Sequence, residues 1–254
     1  MIFDSHAHYD DSAFDADRDE LLGKMQEGGV GKIICVAAEW NSFDRINEIC
    51  QKYSFCYQAL GIHPENATDL SPERRPVLEE IIKTRKPVAV GEIGLDYHYP
   101  EPSAEIQRDI FIYQLELAKQ LDLPVIVHSR DASEETLDII KAHTPQRKGV
   151  IHCFSGSYET ALEYVKMGFF IGIGGVVTFK NGRKLKEIAQ KLPLTSILLE
   201  TDCPYMAPTP FRGERNTSLL LPYVVKEIAS LRSISEEEVI NTTAANAKKL
   251  FNIV

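Results

Sequence analysis

Residues 1–8 read MIFDSHAH, and the fold turns on how they are read. A short apolar run leads into two histidines one residue apart. On a strand, positions i and i+2 share a face, so His6 and His8 aim two imidazoles at one point. Seven more apolar runs follow, rich in Val, Ile and aromatic residues, and most end in polar or acidic residues. The eight candidate strands are 2–6, 32–38, 55–63, 88–96, 124–128, 149–154, 169–175 and 196–202.

Between these runs the apolar spacing is helical. Over 103–121, Ile106, Ile110, Tyr113, Leu117 and Leu121 fall on one face, with Ser103 as N-cap. Another helix begins near Ser157, with Tyr158, Leu162 and Val165 spaced for burial. Two more are expected at 218–232 and 235–251, the last opened by the capping sequence SEEE. Strands alternating with helices predict a parallel sheet, and near-continuous apolar strands predict burial of both sheet faces. Eight such units are expected to close into a single-domain α/β structure, a (β/α)8 TIM barrel with extra C-terminal helices.

The 254 residues suit one barrel, and a formal charge of −9 argues against a broad basic surface for nucleic acid. No run approaches the ~20 apolar residues of a membrane helix, and no signal peptide is visible. The five cysteines form no CxxC pair, which favours a reducing, cytoplasmic setting. No obligate protein partner is evident, and such a barrel can stand as a monomer.

The strand ends carry the chemistry. His6 and His8 close the first, Glu92 lies in GEIGLD, His128 opens HSRD, His152 opens HCFSG, and Glu200 and Asp202 lie in ETDCPY. In a barrel these ends gather at the C-terminal mouth. Singly, each reads as a packed, solvated or capping residue; together they make a donor set for two divalent ions, Zn²⁺, Mn²⁺ or Mg²⁺. Two ions ~3.5–4 Å apart need a bridge, and Glu92 is placed for it. A divalent ion acidifies the water it holds, to a pKa of about 7 in favourable zinc sites, and Asp202 is placed to take that proton. His63 faces the same mouth from GIHP as a group that supports a ligand or meets substrate, or as a turn residue. His98 reads as structural and His143 as a surface residue.

In order, DSHAHYD, GIHP, GEIGLDY, HSRDA, HCFSG and ETDCPYMAP closely resemble the TatD family of metal-dependent deoxyribonucleases, within the amidohydrolase-like barrels. The resemblance spans nearly the whole chain. It implies that His6, His8, Glu92 and Asp202 hold one metal and Glu92, His128 and His152 the other. It also implies Mg²⁺-dependent cleavage of DNA at a strand end, of the 3′–5′ exonuclease type, in the cytoplasm. Some relatives are linked to D-aminoacyl-tRNA, which keeps ester hydrolysis open. Two stretches depart from the family pattern: GIHPEN, where Glu65 replaces a histidine, and RGERNTSLLLP in place of an RNEP-like segment. Both are expected to contact substrate.

A phosphodiester also needs cations on the loops. Arg130 follows His128, Lys180 follows the seventh strand, and Arg212 and Arg215 follow the eighth; the loops after strands 7 and 8 recur as phosphate sites in this fold. Arg130 is alternatively a partner for Asp131. Tyr97, Tyr99, Tyr205 and Phe211 are available to stack on bases or to pack the wall. GIGG at 172–175 lacks the dinucleotide-loop spacing, FSGS at 154–157 is not a serine-hydrolase elbow, and Cys153 and Cys203 are expected to point away from the metals. The functional alternatives are a hydrolase of a small ester, lactone or amide on the same site, or a non-catalytic metal-binding protein.

Overall fold

The computed structural model describes residues 1–254. All eight strands form: β1 (Ile2–Ala7), β2 (Val30–Val36), β3 (Cys56–Leu60), β4 (Ala89–Asp96), β5 (Val125–Arg130), β6 (Gly149–Ile151), β7 (Phe170–Ile173) and β8 (Ile197–Leu199). They pair in parallel and in sequential order. Closure is made beyond β8. Ala7 bridges Cys203, the Asp202 amide donates to the His6 carbonyl at 3.0 Å, and the His8 amide donates to the Cys203 carbonyl at 2.8 Å. The helices are α1 (Arg18–Gly23), α2 (Trp40–Lys52), α3 (Arg75–Arg85), α4 (Ala104–Gln120), α5 (Ser133–His143), α6 (Tyr158–Lys166), α7 (Arg183–Lys191), α8 (Leu221–Arg232) and α9 (Glu236–Phe251). This is the expected (β/α)8 barrel with C-terminal helices.

Both faces of the sheet are buried. Ile33 and Cys35 of β2 belong to the layer beneath the helices, while Ile34 and Val36 belong to a second cluster inside the barrel. Residues from seven strands build that inner cluster, and Leu250, Phe251 and Ile253 close it, with the Phe3 and Phe251 rings 6.2 Å apart. Each buried Leu or Phe contributes about 1.5–3 kcal/mol. The expected caps are present: Ser103, Ser157 and Ser235 accept the amides of Ile106, Thr160 and Glu238.

Several details differ from the sequence reading. Ile106 is 38% exposed. The inner face of α4 instead carries Gln107 and Gln114 among Ile110, Phe111 and Leu117. These glutamines act as strand partners: Gln107 bonds both backbone groups of Asp96, and Gln114 bonds both of Ile62, all at 2.8–2.9 Å. Beneath the outer helix they satisfy strand-end groups that no neighbouring strand reaches. Strands 3, 6, 7 and 8 are shorter than their apolar runs, so His63, His152 and Asp202 lie just past the ladder. The segment expected as helix from 218 starts as a short 3₁₀ turn, and α8 proper begins at Leu221.

Candidate metal centre

The mouth is built around one carboxylate. Glu92, 3% exposed on β4, has five imidazoles within 4 Å. Its Oε1 lies 2.8 Å from His152 Nε2 and 2.9 Å from His128 Nδ1, and its Oε2 lies 3.3 Å from His6 Nε2 and 3.7 Å from His8 Nε2. Glycine lets β4 come this close. Gly94 has φ +148°, and a Cβ there would sit 2.0 Å from the His128 carbonyl oxygen. Asp202 approaches from the opposite side, its Oδ1 3.4 Å from His8 Nε2 and 3.8 Å from His6 Nε2. All six residues expected to bind metal thus meet at one point.

Hydrogen bonds orient the rings. His8 Nδ1 is 2.9 Å from the Val36 carbonyl. It must donate there, which turns Nε2 toward the cluster as metal-ligating histidines require. His6 Nε2 and His8 Nε2 are 3.0 Å apart, while His6 Nδ1 and His152 Nδ1 are buried without partners. Converging lone pairs and orphaned buried polar atoms, in a nitrogen–oxygen donor set, fit divalent cations. Groupings with metal-ligand spacing are His6–His8–Glu92, His6–His152–Asp202 and His63–Glu92–His128. In the last, His63 Nδ1 accepts the Glu65 amide at 3.2 Å. That leaves its proton on Nε2, and His63 faces Glu92 as a donor.

The electrostatics follow from this packing. Burial pushes the Glu92 carboxyl up, but His152, His6 and His63 outweigh it and hold it well below the carboxylate range. Asp202 is lowered in the same way, burial being overcome by the His8 hydrogen bond and by His152 and His6. Burial drives His6 down to about 4. Against burial, Asp202 and Glu92 raise His8 to about 10, and Asp96 and Glu92 raise His128 to about 9.

Two residues of the site escaped the sequence reading. Asp96, 2% exposed at the end of β4, places Oδ2 2.9 Å from His128 Nε2. Its even spacing from Glu92 in GEIGLD was the available signal. Arg45 of α2 lines the cleft and pairs with Asp15 at 3.0 Å; no sequence pattern announces it. The cleft has a volume of about 960 Å³ and is lined by seven carboxylates and two arginines, Arg45 and Arg130.

The remaining candidates divide. His63 and Arg130 line the cleft. Arg130 lies 3.9 Å from Asp96 and stacks over Tyr99, whereas Asp131 faces His98. Lys180, Arg212 and Arg215 do not line it. Arg215 is taken up by both Asp17 oxygens, at 2.8 and 2.5 Å, and by the Ala13 carbonyl. This corrects its reading as a phosphate ligand: it ties the loop after β8 to the loop after β1. The RNTSLLLP segment is likewise structural. Asn216 and Ser218 are buried, Asn216 bonding the Thr201 and Tyr205 carbonyls and Ser218 donating to Asp4 at 2.6 Å. Glu65, by contrast, is on the cleft wall. Tyr99 and Tyr205 are more than half exposed on the cleft wall, while Tyr97 bonds Glu135 and Phe211 packs on Tyr223. Cys203 packs in the core as expected, but Cys153 lines a second cavity.

A (β/α)8 barrel with histidines and carboxylates gathered at its C-terminal mouth defines a metal-dependent hydrolase. The chain belongs to the TatD related DNase family, whose profile matches residues 3–252. It is 40% identical to the uncharacterized metal-dependent hydrolase YabD of Bacillus subtilis, over the full length of both chains. It is 33% identical to a protein of Erwinia tasmaniensis named 3′-5′ ssDNA/RNA exonuclease TatD, over 99% of this chain and 100% of that one. The crystal structure of YjjV, a TatD homolog from Escherichia coli, superposes with a TM-score of 0.92 at 38% identity, covering 100% of this chain and 98% of that one. No helix is long and apolar enough to cross a membrane.

Proposed function

We propose that this hydrolase is a nuclease that removes nucleotides from the end of a single DNA strand, of the 3′–5′ type, with two divalent ions. The observation that carries the reading is the convergence of five imidazoles on the buried carboxylate of Glu92, with two of them, His6 and His8, also meeting Asp202. His6, His8, Glu92 and Asp202 would hold one ion, and Glu92, His128 and His152 the other; Mg²⁺, Mn²⁺ and Zn²⁺ all suit these donors. The bound ions would acidify the attacking water and offset the charge of the phosphodiester. Asp202, held ionised by the surrounding imidazoles, is the carboxylate placed to take a proton. His63 Nε2 points a donor at the site. Tyr99 and Tyr205 offer exposed rings on which terminal bases stack, and Arg130 and Arg45 supply charge along the cleft. One chain supplies every proposed ligand, in keeping with a working monomer. Five cysteines without a disulfide fit a reducing compartment, the cytoplasm.

The test is end-labelled single-stranded DNA incubated with metal-stripped protein, with Mg²⁺, Mn²⁺ or Zn²⁺ added back. A metal-dependent ladder is expected. The Asp202→Asn variant should retain its ions but lose about 10²–10⁴ in rate, the range for a positioned proton acceptor. Intact DNA with metals bound would sink the nuclease reading. The acidic cleft wall favours one second reading, a small ester, lactone or amide as substrate. Turnover of such substrates by protein that leaves DNA intact would establish it.

A further inference from the structure

A second cavity of about 560 Å³ lies across Asp202 from the metal cleft and shares that residue with it. Its far side is Asn181 and the first turn of α7, through Arg183 and Lys184. A third cavity of about 400 Å³ continues from it, sharing Phe154, Ser155 and Lys184. Ser129, Ser133 and Ser157 line this third space, where α5 and α6 begin. So does Tyr164, which is 1% exposed and whose hydroxyl has no hydrogen-bond partner. The three spaces thus lie in series by their shared walls, from the side lined by β1–β5 past Asp202 to the loops after β5, β6 and β7.

The two further cavities carry both signs, with Asp131, Glu200 and Asp202 on one side and Arg183 and Lys184 on the other. Five helices (α1, α4, α5, α6 and α9) carry acidic residues in the first turn, as the helix dipole favours. α7, like α2, α3 and α8, carries none, and it opens with Arg183 and Lys184. Two positive side chains therefore sit where the dipole and open amides are already positive. Within KNGRK (180–184), Lys180, Arg183 and Lys184 are exposed and make no ion pair, whereas Lys186 and Lys191 of the same helix pair with Glu227 and Glu187. Arg212 joins them from the loop after β8, with its guanidinium 4.5 Å from the Phe179 ring centroid. Thr178 Oγ1, accepting the Thr209 amide at 2.8 Å, ties the two loops together. Local rules broken together at a mouth mark a functional surface, and anions bind where helix N-termini and unpaired cations converge.

We propose that the Lys180–Lys184 loop, with Arg212, holds the phosphates of a single nucleic-acid strand a few nucleotides away from the bond being cut. The inference rests on the nuclease reading and says where the rest of the strand runs. It also answers a charge problem. The cleft wall itself is acidic, and two divalent ions leave it near neutral, so a polyanion must find its attraction elsewhere. Lys180 and Arg212 thereby gain a role in phosphate binding away from the cleft they were expected to line.

The test measures binding apart from cleavage. A fluorescent ten-nucleotide oligo(dT) is titrated by anisotropy with Mg²⁺ against Asp202→Asn protein, with and without R183Q/K184Q, across a salt series. Single strands lose about 0.7 in log–log salt slope per phosphate contact, so the double change should flatten the slope by about 1.4 and weaken low-salt binding at least tenfold. R183E/K184E should weaken it further. Lys141→Gln, in the last turn of α5 at the other end of the barrel, should change neither. With Asp202 intact, the preference in kcat/KM for the ten-mer over a dinucleotide should collapse toward one in R183Q/K184Q. An unchanged slope with affinity within twofold of the parent overturns the inference, as does failure of the parent to bind the strand. If the strand is cleaved at rates indifferent to R183Q/K184Q, the inference falls and the nuclease reading stands. If it binds with the expected salt response but is never cut, the nuclease reading falls instead.

Discussion

The two ends of the barrel are made from the same strands and obey opposite rules. At the strand starts the interior is apolar and closed: Phe3, Ala89, Val150 and Leu198 meet Leu250, Phe251 and Ile253. At the strand ends Glu92, His6, His128 and His152 crowd together, with buried nitrogens left without partners. Burial has opposite consequences at the two ends. Below, it is the source of stability. Above, it is a cost that only opposite charge relieves. The lesson is that stability and chemistry lie in different layers of one sheet, so substitutions in one layer should leave the other layer's measurement nearly untouched.

The largest effect should come from the centre of the upper layer. Glu92→Ala removes the carboxylate on which five imidazoles converge. Metal content, measured by atomic absorption, should fall well below that of the wild type. Turnover should fall with it by more than about 100-fold, the upper range for losing a group that merely supports a ligand. A Glu92→Ala protein with normal metal stoichiometry would remove Glu92 from the proposed bridge.

The lower layer gives the complementary result. Phe251 is 3% exposed and stacks toward Phe3. Phe251→Ala should cost about 3–5 kcal/mol of unfolding free energy, as for other buried aromatics, read from urea melts. Its metal affinity and kcat at 25 °C should remain within a few-fold of wild type. Loss of metal affinity without loss of stability would mean that the two layers are coupled and the comparison is wrong.

The same division explains what the sequence made legible. Strands buried on both faces leave continuous apolar runs, so all eight were visible, and closing the barrel brings their ends together with no further information. That is why His6, His8, Glu92, His128, His152 and Asp202 were found as a set. Side chains that serve tertiary geometry were not found. Gln107 and Gln114 sit on the inner face of α4 although they are polar, because the groups they satisfy belong to distant strands. Arg215 read as a phosphate ligand because its Asp17 partner is far away in sequence. Arg183 and Lys184 went unremarked because their lack of partners shows only when the neighbouring loops are in place.

The smallest expected effect tests how the upper layer is held. Asp96 stands behind His128, with Oδ2 2.9 Å from Nε2, while its Oδ1 accepts the His98 amide at 2.9 Å. If His128 turns Nδ1 to an ion beside Glu92, its Nε2–H must donate to Asp96, and that bond fixes both tautomer and ring angle. Asp96→Asn keeps the shape but gives up the charge. Metal affinity, from competition with a chelator, should fall about 10–100-fold, while kcat at saturating metal stays within a few-fold. Asp96→Ala should lose more, because the imidazole then has neither partner nor wall. Equal metal affinity in Asp96→Asn and wild type would show that His128 does not depend on Asp96 for its orientation. The carboxylate would then serve the His98 loop, and His128 would be held by Glu92 alone.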